Sequence, residues 1–302
     1  MNFLQKIFSQ PKTEIKPDPP VPSDDVGLNN NGHNKTGGLT NLAPGIHIGK
    51  LSHVGQVREQ NEDSFCAIDS LIQHNYGREP FGLFIVADGM GGHQKGEVAS
   101  SLAARVTASS ILQEIYLPYL TNSQNANNRP LNEVLTAAVQ HANYAVQEEV
   151  PDGGTTLTAA LVMGNNAYIA HVGDTRAYLF KQAELKQITQ DHSLARRLQE
   201  TGQASADELM SVQNVLYKAI GQGSTLEVDT YVQHLPYGTS LLICSDGLWG
   251  PVADEDIQQV MSTASAPQEA CQELVTLANK NGGPDNITAV IVSVGAENQA
   301  DA

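Results

Sequence analysis

The short apolar runs of this chain come in clusters rather than in steady alternation with helical stripes, and that ordering constrains the fold most. Leu83-Phe84-Ile85-Val86-Ala87, Tyr168-Ile169-Ala170-His171-Val172, Leu241-Leu242-Ile243-Cys244 and the run from Ile287 to Val294 read as buried strands. Leu131, Val134, Leu135, Ala138, Ala142, Ala145 and Val146 fall on one helical stripe, and Ala270, Leu274, Leu277 and Ala278 on another. Val98, Leu102 and Val106 mark a third, and the Asn-rich stretch from Asn122 to Arg129 reads as a loop between two helices. Two strands are expected near residues 50 to 88, then a helix pair, then three or more strands between Thr155 and Lys181. Runs of strands interrupted by paired helices favour an α+β layered sandwich over a doubly wound parallel sheet. No repeat at a fixed period is visible.

A chain of 302 residues can bury a sizeable core. The segment from about Pro11 to Pro44 cannot contribute, because it is rich in Pro, Asn, Gly, Asp and Lys and poor in apolar side chains. A disordered tail over residues 1–45 and one domain over residues 46–296 are therefore expected. Phe3, Leu4, Ile7 and Phe8 sit at helical spacing and could dock on a partner or a membrane surface; the alternative is a frayed terminus.

With 33 acidic and 17 basic side chains, the formal net charge is −16. Such a chain repels phosphate backbones, which argues against nucleic acid as a partner. Excess carboxylate suits cations, although solubility accounts for most of it. Cys66, Cys244 and Cys271 are odd in number and far apart, so neither a disulfide framework nor a Cys-based zinc site is indicated. No apolar run reaches the roughly eighteen residues a spanning helix needs. The opening Met1-Asn2-Phe3-Leu4-Gln5-Lys6-Ile7-Phe8 is too short and polar for a signal peptide, and Asn2 does not fit N-myristoylation. A cytoplasmic location without stable membrane insertion is expected.

Several acids occupy one kind of place, the polar end of a buried strand. Asp88 follows Leu83 to Ala87 and opens the turn Asp88-Gly89-Met90-Gly91-Gly92; Asp246 follows Leu241 to Ser245; Asp285 precedes Ile287; Asp63 precedes Ser64-Phe65-Cys66-Ala67-Ile68. A carboxylate at a strand end is held rigidly with its oxygens exposed, which suits hard cations such as Mg²⁺ or Mn²⁺. Any single Asp-Gly is equally a turn signal, and spacing alone does not show whether the four converge.

The order of the motifs carries more. Ser52-His53-Val54-Gly55-Gln56-Val57-Arg58-Glu59-Gln60-Asn61-Glu62-Asp63 and Val86-Ala87-Asp88-Gly89-Met90-Gly91-Gly92-His93 are followed by Gly154-Thr155-Thr156-Leu157, Ala170-His171-Val172-Gly173-Asp174-Thr175-Arg176 and Asp191-His192-Ser193. Ser245-Asp246-Gly247-Leu248-Trp249 and Pro284-Asp285-Asn286-Ile287-Thr288 close the series. Over residues from about 47 to 295, the sequence resembles the metal-dependent Ser/Thr protein phosphatases of type 2C, in their bacterial form.

That resemblance implies a four-layer α-β-β-α sandwich, with two antiparallel sheets face to face, helix pairs outside and a metal cleft at one end. It implies Asp88 bridging two ions with the Gly89 carbonyl as a further ligand, Asp246 and Asp285 on one ion, and Asp63 on the other. Glu62 would bind a metal-bound water, and Arg58 would grip the substrate phosphate; a salt bridge to Glu59 or Glu62 is its plain alternative. Phosphoserine and phosphothreonine in proteins would then be hydrolysed by water activated between two Mn²⁺ or Mg²⁺ ions, without a phosphoenzyme. His93 is the candidate general acid, although three residues separate it from the first glycine where relatives with Asp-Gly-His have none. Asp191-His192-Ser193 resembles the start of a mobile flap, with His192 a candidate substrate contact and a helix start the alternative. Asp174, with Asp246, is expected to hold a third, weak ion, because Gly250 stands where some relatives add an acid. Asp254 is expected to cap the next helix and Trp249 to pack in the core. Phosphoproteins are the expected partners of a chain that is itself monomeric.

Overall fold

The computed structural model describes residues 39, 42, 45–74, 77–91, 95–121, 129–202, 205, 208, 211–212, 215–223 and 225–295. All belong to one unit, Thr36–Ala302. Most of the expected tail, residues 122–128 of the expected loop, and His93 lie outside the described residues.

Two sheets form the centre. The first runs in the order β1 (Gly45–His53), β11 (Ile287–Gly295), β10 (Thr239–Cys244), β7 (Arg176–Lys181) and β8 (Glu184–Gln187). The second runs β2 (Asp63–His74), β3 (Gly77–Met90), β5 (Leu157–Met163), β6 (Asn166–Val172) and β9 (Asp229–His234), with the short β4 (Gly154–Thr155) paired to the end of β3. Every pairing is antiparallel. The helices are α1 (Lys95–Ile111), α2 (Leu117–Leu120), α3 (Leu131–Glu149), α4 (Leu194–Thr201), α5 (Asp246–Trp249), α6 (Asp254–Thr263) and α7 (Pro267–Lys280). A single π-helical turn, Leu112–Tyr116, joins α1 to α2.

Strand alternation turns these elements into four layers, since successive side chains of a strand point to opposite faces. In β3, Phe84 and Val86 join Ala160, Val162, Leu241, Ile243, Val290 and Val292 in the cluster between the sheets. Leu83 and Ile85 face the other way, onto Leu102 and Ala103 of α1 and Leu135 and Val139 of α3. In the first sheet, Leu242, Cys244, Ala289 and Ile291 face Ile257 of α6 and Leu274 of α7. With both faces covered, the inner strands lose the apolar-polar alternation of a half-exposed sheet, and all nine residues of β11 are buried. The expected α-β-β-α sandwich is the observed one.

Four expectations change. Three strands, not two, precede the first helices: β1 carries Ile46, Ile48 and Leu51 between polar residues at a sheet edge, a weak signal in sequence. Val98 is 50% exposed, and α1 instead meets the sheet through the small face Ala99, Ala103 and Ala104 with Leu102. Asp254 does not cap α6: Ala253 holds the N-cap with no side-chain bond, and Asp254 sits in the first turn, favourable to the helix dipole. The packed region also starts earlier than expected. Leu39, inside the proposed tail, is only 1% exposed and joins Tyr178, Phe180 and Leu274 in the cluster under α6 and α7.

Candidate metal centre

Register places the expected acids at one end of the sandwich. β2 begins at Asp63 and β3 nears its end at Asp88, and the two residues face each other across the ladder. β10 ends at Cys244, opposite Ala289 near the start of β11, so Asp246 and Asp285 flank adjacent strand ends. β6 stops at Val172, and a turn then carries Asp174. A cavity of about 430 Å³ opens there, lined by Arg58, Glu62, Asp88, Gly89, Met90, Gly91, Thr156, Asp174, Leu216, Asp246 and Asp285.

The backbone beneath these side chains is over-determined. Thr156 Oγ1 accepts from the Asp88 amide at 3.0 Å, and the Asp88 carbonyl accepts from Thr155 Oγ1 at 2.8 Å and from the Thr156 amide at 2.9 Å. Gly89 lies so close to α1 that a Cβ would stand 2.2 Å from the Gly96 carbonyl oxygen, which explains the glycine. Asn286, 5% exposed, donates through Nδ2 to the carbonyls of Val54 and Gln60 and accepts from the Glu62 amide at 2.7 Å. It thus ties the loop bearing Arg58 and Glu62 to the residue after Asp285. Thr155, Thr156 and Asn286 were not singled out from sequence; their only signal was membership of the motif strings.

Asp63 does not line the cavity. It is 8% exposed, and its Oδ2 accepts from Ser245 Oγ at 2.7 Å, while Oδ1 has no hydrogen-bond partner. Glu62, expected to bind a metal-bound water, lines the wall. Arg58 is at the mouth with its side chain 52% exposed, and its Nη2 lies 2.6 Å from Asp285 Oδ2. The expected alternative pairing with Glu59 or Glu62 is therefore replaced by one with Asp285.

His192 is not brought to the cavity. It is 2% exposed, accepts from the Gly173 amide through Nδ1 at 3.0 Å and faces Asp229 Oδ2 through Nε2 at 3.2 Å. Ser193 caps α4, accepting from the Arg196 amide. The helix-start reading of this segment holds, and His192 is buried between Gly173 and Asp229 rather than placed at the cavity.

Electrostatics at the site favour a positive charge among these carboxylates. Burial, then repulsion from Asp63, Asp246, Asp174 and Asp285, holds the Asp88 carboxyl well above its ordinary range. Burial, and then repulsion from Asp246 and Asp191, pushes Asp174 up to about 8. Asp63 rises to about 7, mainly by burial and despite hydroxyl bonds from Thr288 and Ser245. Asp246 rises to about 6 by burial and by Asp285, and its Oδ1 is buried without a partner. A cation among these groups favours the ionised form of each and so offsets the repulsive contributions.

The donor set is all oxygen, and none of the three free cysteines lines the cavity, so the residues fit a hard divalent ion. Among the described residues no three His, Cys, Asp or Glu side chains stand at closed ligand spacing. The carboxylates line a cavity rather than a cage, as suits Mg²⁺ or Mn²⁺, which keep several waters and few direct carboxylates.

Comparison with known proteins agrees with this geometry. The family profile of protein phosphatase 2C matches residues 49–201. The serine/threonine phosphatase stp of Listeria monocytogenes serovar 1/2a is 34% identical over 240 residues, covering 79% of this chain and 92% of the relative. The crystal structure of the Mycobacterium tuberculosis serine/threonine phosphatase PstP is similar with a TM-score of 0.69 and 33% identity, over 83% of this chain and 99% of that one. The catalytic domain of PstP in complex with two manganese ions is similar with a TM-score of 0.66 and 33% identity, with the same coverage.

Proposed function

This chain belongs to the protein phosphatase 2C family, and from that premise we propose that it hydrolyses phosphoserine and phosphothreonine in proteins by direct attack of water at a binuclear Mn²⁺ or Mg²⁺ centre. The enzyme class is that of a metal-dependent protein serine/threonine phosphatase. The observation that carries the reading is the convergence of Asp88, Asp246, Asp285 and Asp174 on one cavity, with Arg58 as the only basic side chain among its described lining residues.

In this reading Asp88, Asp246, Asp285 and the Gly89 carbonyl hold the two ions, and Glu62 orients water on the wall. Asp63 acts from behind them as a buried anion that the positive centre compensates. Asp174 and Asp246 share a third, weaker ion. When bound, the cations supply a water of lowered pKa and neutralise charge on the phosphoryl oxygens. Arg58 keeps guanidinium N–H groups beyond the one on Asp285 and presents them at the mouth, where a phosphoester's outer oxygens arrive. Thr155 and Thr156 fix the Asp88 backbone, so its carboxylate need not reorganise as charge develops. His93 is the proposed proton donor to the leaving serine or threonine oxygen. No thiol stands at the cavity, in keeping with a route without a phosphoenzyme on cysteine.

Hydrolysis of a phosphothreonine peptide with Mn²⁺ tests the proposal. Activity should vanish with EDTA and fall by orders of magnitude in Asp88→Asn. Preference for a bis-ester over the phosphopeptide, or full activity of the variant in chelator, would defeat it.

A further inference from the structure

We propose that Trp249, the only tryptophan of the chain, is a positioning residue that fixes Asp174 relative to Asp246. This rests on the reading above, in which those two carboxylates share a third ion. The indole Nε1–H donates to the Asp174 carbonyl oxygen at 3.0 Å. Trp249 ends α5, the four-residue helix that Asp246 begins. One helical turn therefore carries one carboxylate at its start and, at its end, the donor that holds the backbone of the other.

The indole is itself held in place. The guanidinium carbon of Arg176 lies 3.6 Å from the ring centroid. Arg176 Nε donates to Asp191 Oδ1 at 3.0 Å and Oδ2 at 3.2 Å, Nη2 donates to Oδ2 at 2.7 Å, and Nη1 donates to the Tyr178 hydroxyl at 3.0 Å. A cation over the face of an indole is attracted by the ring quadrupole, so the plane of Trp249 is set by a cation that two other side chains fix. On the other side of the turn, His192 accepts from the Gly173 amide and donates its own amide to the Gly173 carbonyl at 2.8 Å. Gly173 has φ +106°, and a Cβ there would stand 2.5 Å from Thr156 Cβ, so only glycine fits the turn. His192 and Trp249 grip successive residues, and the Asp174 side chain between them is left to face the cavity. Packing alone calls for an aromatic ring at 249; the N–H aimed at Asp174 is what packing does not require.

Trp249→Phe separates the two roles, because it keeps a ring beside Arg176 and removes the donor. Mn²⁺ titration calorimetry on the full chain should show a tight pair and a weak third site in the wild type. Trp249→Phe should leave the pair unchanged and weaken the third site about three- to tenfold, the effect of one lost hydrogen bond. Asp174→Asn should abolish the third site. The fluorescence of the single indole should change as the weak site fills in the wild type and stay constant over that range in Asp174→Asn. A Trp249→Phe isotherm equal to the wild type's, even with a lower melting temperature in EDTA, would show packing alone and overturn the inference. So would an indole signal that follows only the tight pair. Absence of any Mn²⁺ binding by the wild type would instead bring down the phosphatase reading together with this one.

Discussion

Asp246→Asn should make the cation-free protein more stable while destroying its response to Mn²⁺. Asp246 rises from 3.8 to about 6 through burial first and repulsion from Asp285 second. A carboxyl whose folded-state pKa is raised favours folding at low pH and loses that advantage as pH climbs from about 4 to about 6. Above that window the ionised group costs the folded chain a constant amount. At about 1.4 kcal/mol per decade, the interval from 3.8 to about 6 is worth about 3 kcal/mol. The repulsion is shared and partly relaxes, so about 1–2 kcal/mol is the expected gain on replacing the carboxylate by an isosteric amide. For a domain of this size that is a rise in Tm of about 2–8 °C. Thermal melts at pH 7.5 in EDTA and in excess Mn²⁺ provide the assay. Wild type should melt below Asp246→Asn in EDTA and above it in Mn²⁺, so that the order inverts. A variant less stable than wild type in EDTA would refute the view that these carboxylates are held together against their own charge.

Arg58→Ala should raise KM about ten- to a hundredfold, because a charge-assisted bond to phosphate is worth about 1.5–3 kcal/mol, with little change in stability since the pair with Asp285 is half-exposed; loss of Mn²⁺ affinity at constant KM would assign it a structural role. Leu39→Ala should cost about 2–5 kcal/mol in urea unfolding, and a chain starting at residue 45 should melt well below one starting at residue 37, because Leu39 is fully packed; equal melts would place Leu39 outside the core. His171 is buried, bonded to Thr158 Oγ1 and the Gln190 carbonyl, and burial lowers its pKa to about 3, so its contribution is present at neutral pH and is lost as pH falls below about 6.5. The stability difference between wild type and His171→Asn should therefore shrink by up to about 2 kcal/mol between pH 6.5 and pH 5; a difference independent of pH would contradict a neutral imidazole. Gly250→Asp should tighten a third cation yet lower Tm, since its Cβ would stand 2.8 Å from the Asp246 carbonyl oxygen; calorimetry showing no gain at the weak site would place residue 250 outside its reach.

Much of the layer order was legible because the inner strands are covered on both faces and so read as unbroken apolar runs, as in β10 and β11. The edge strand β1 was not, because its partly exposed side chains leave alternating Ile, His and Lys that any loop could carry. Leu39 was hidden by averaging: one leucine in a polar stretch does not change the composition of that stretch, yet a core needs only one side chain of the right shape at that place. Val98 misled for the opposite reason, since a helix packed close to a sheet turns its small residues inward and can leave a valine outside.

For the site, the acidic residues and their strand-end positions were legible in sequence, but not which neighbour faces inward. Glu62 and Asp63 are adjacent, so local direction alone decides that one lines the cavity while the other turns to Ser245. His192 shows the same gap. A buried histidine that accepts from a backbone amide through Nδ1 and faces a carboxylate through Nε2 has the same letter in the same motif as a histidine reaching for substrate, and only the Gly173 amide and Asp229 distinguish them. Trp249 is the case in which the bland reading was incomplete. Its ring does pack against the core, as expected, but the same side chain spends its single polar atom on the turn that carries a cavity carboxylate. The groups that create the acidic cavity are visible in sequence as charges; those that hold the backbone and side chains around it, Thr155, Thr156, Ser245, Asn286, His192 and Trp249, act through hydrogen bonds and buried contacts that no residue type announces.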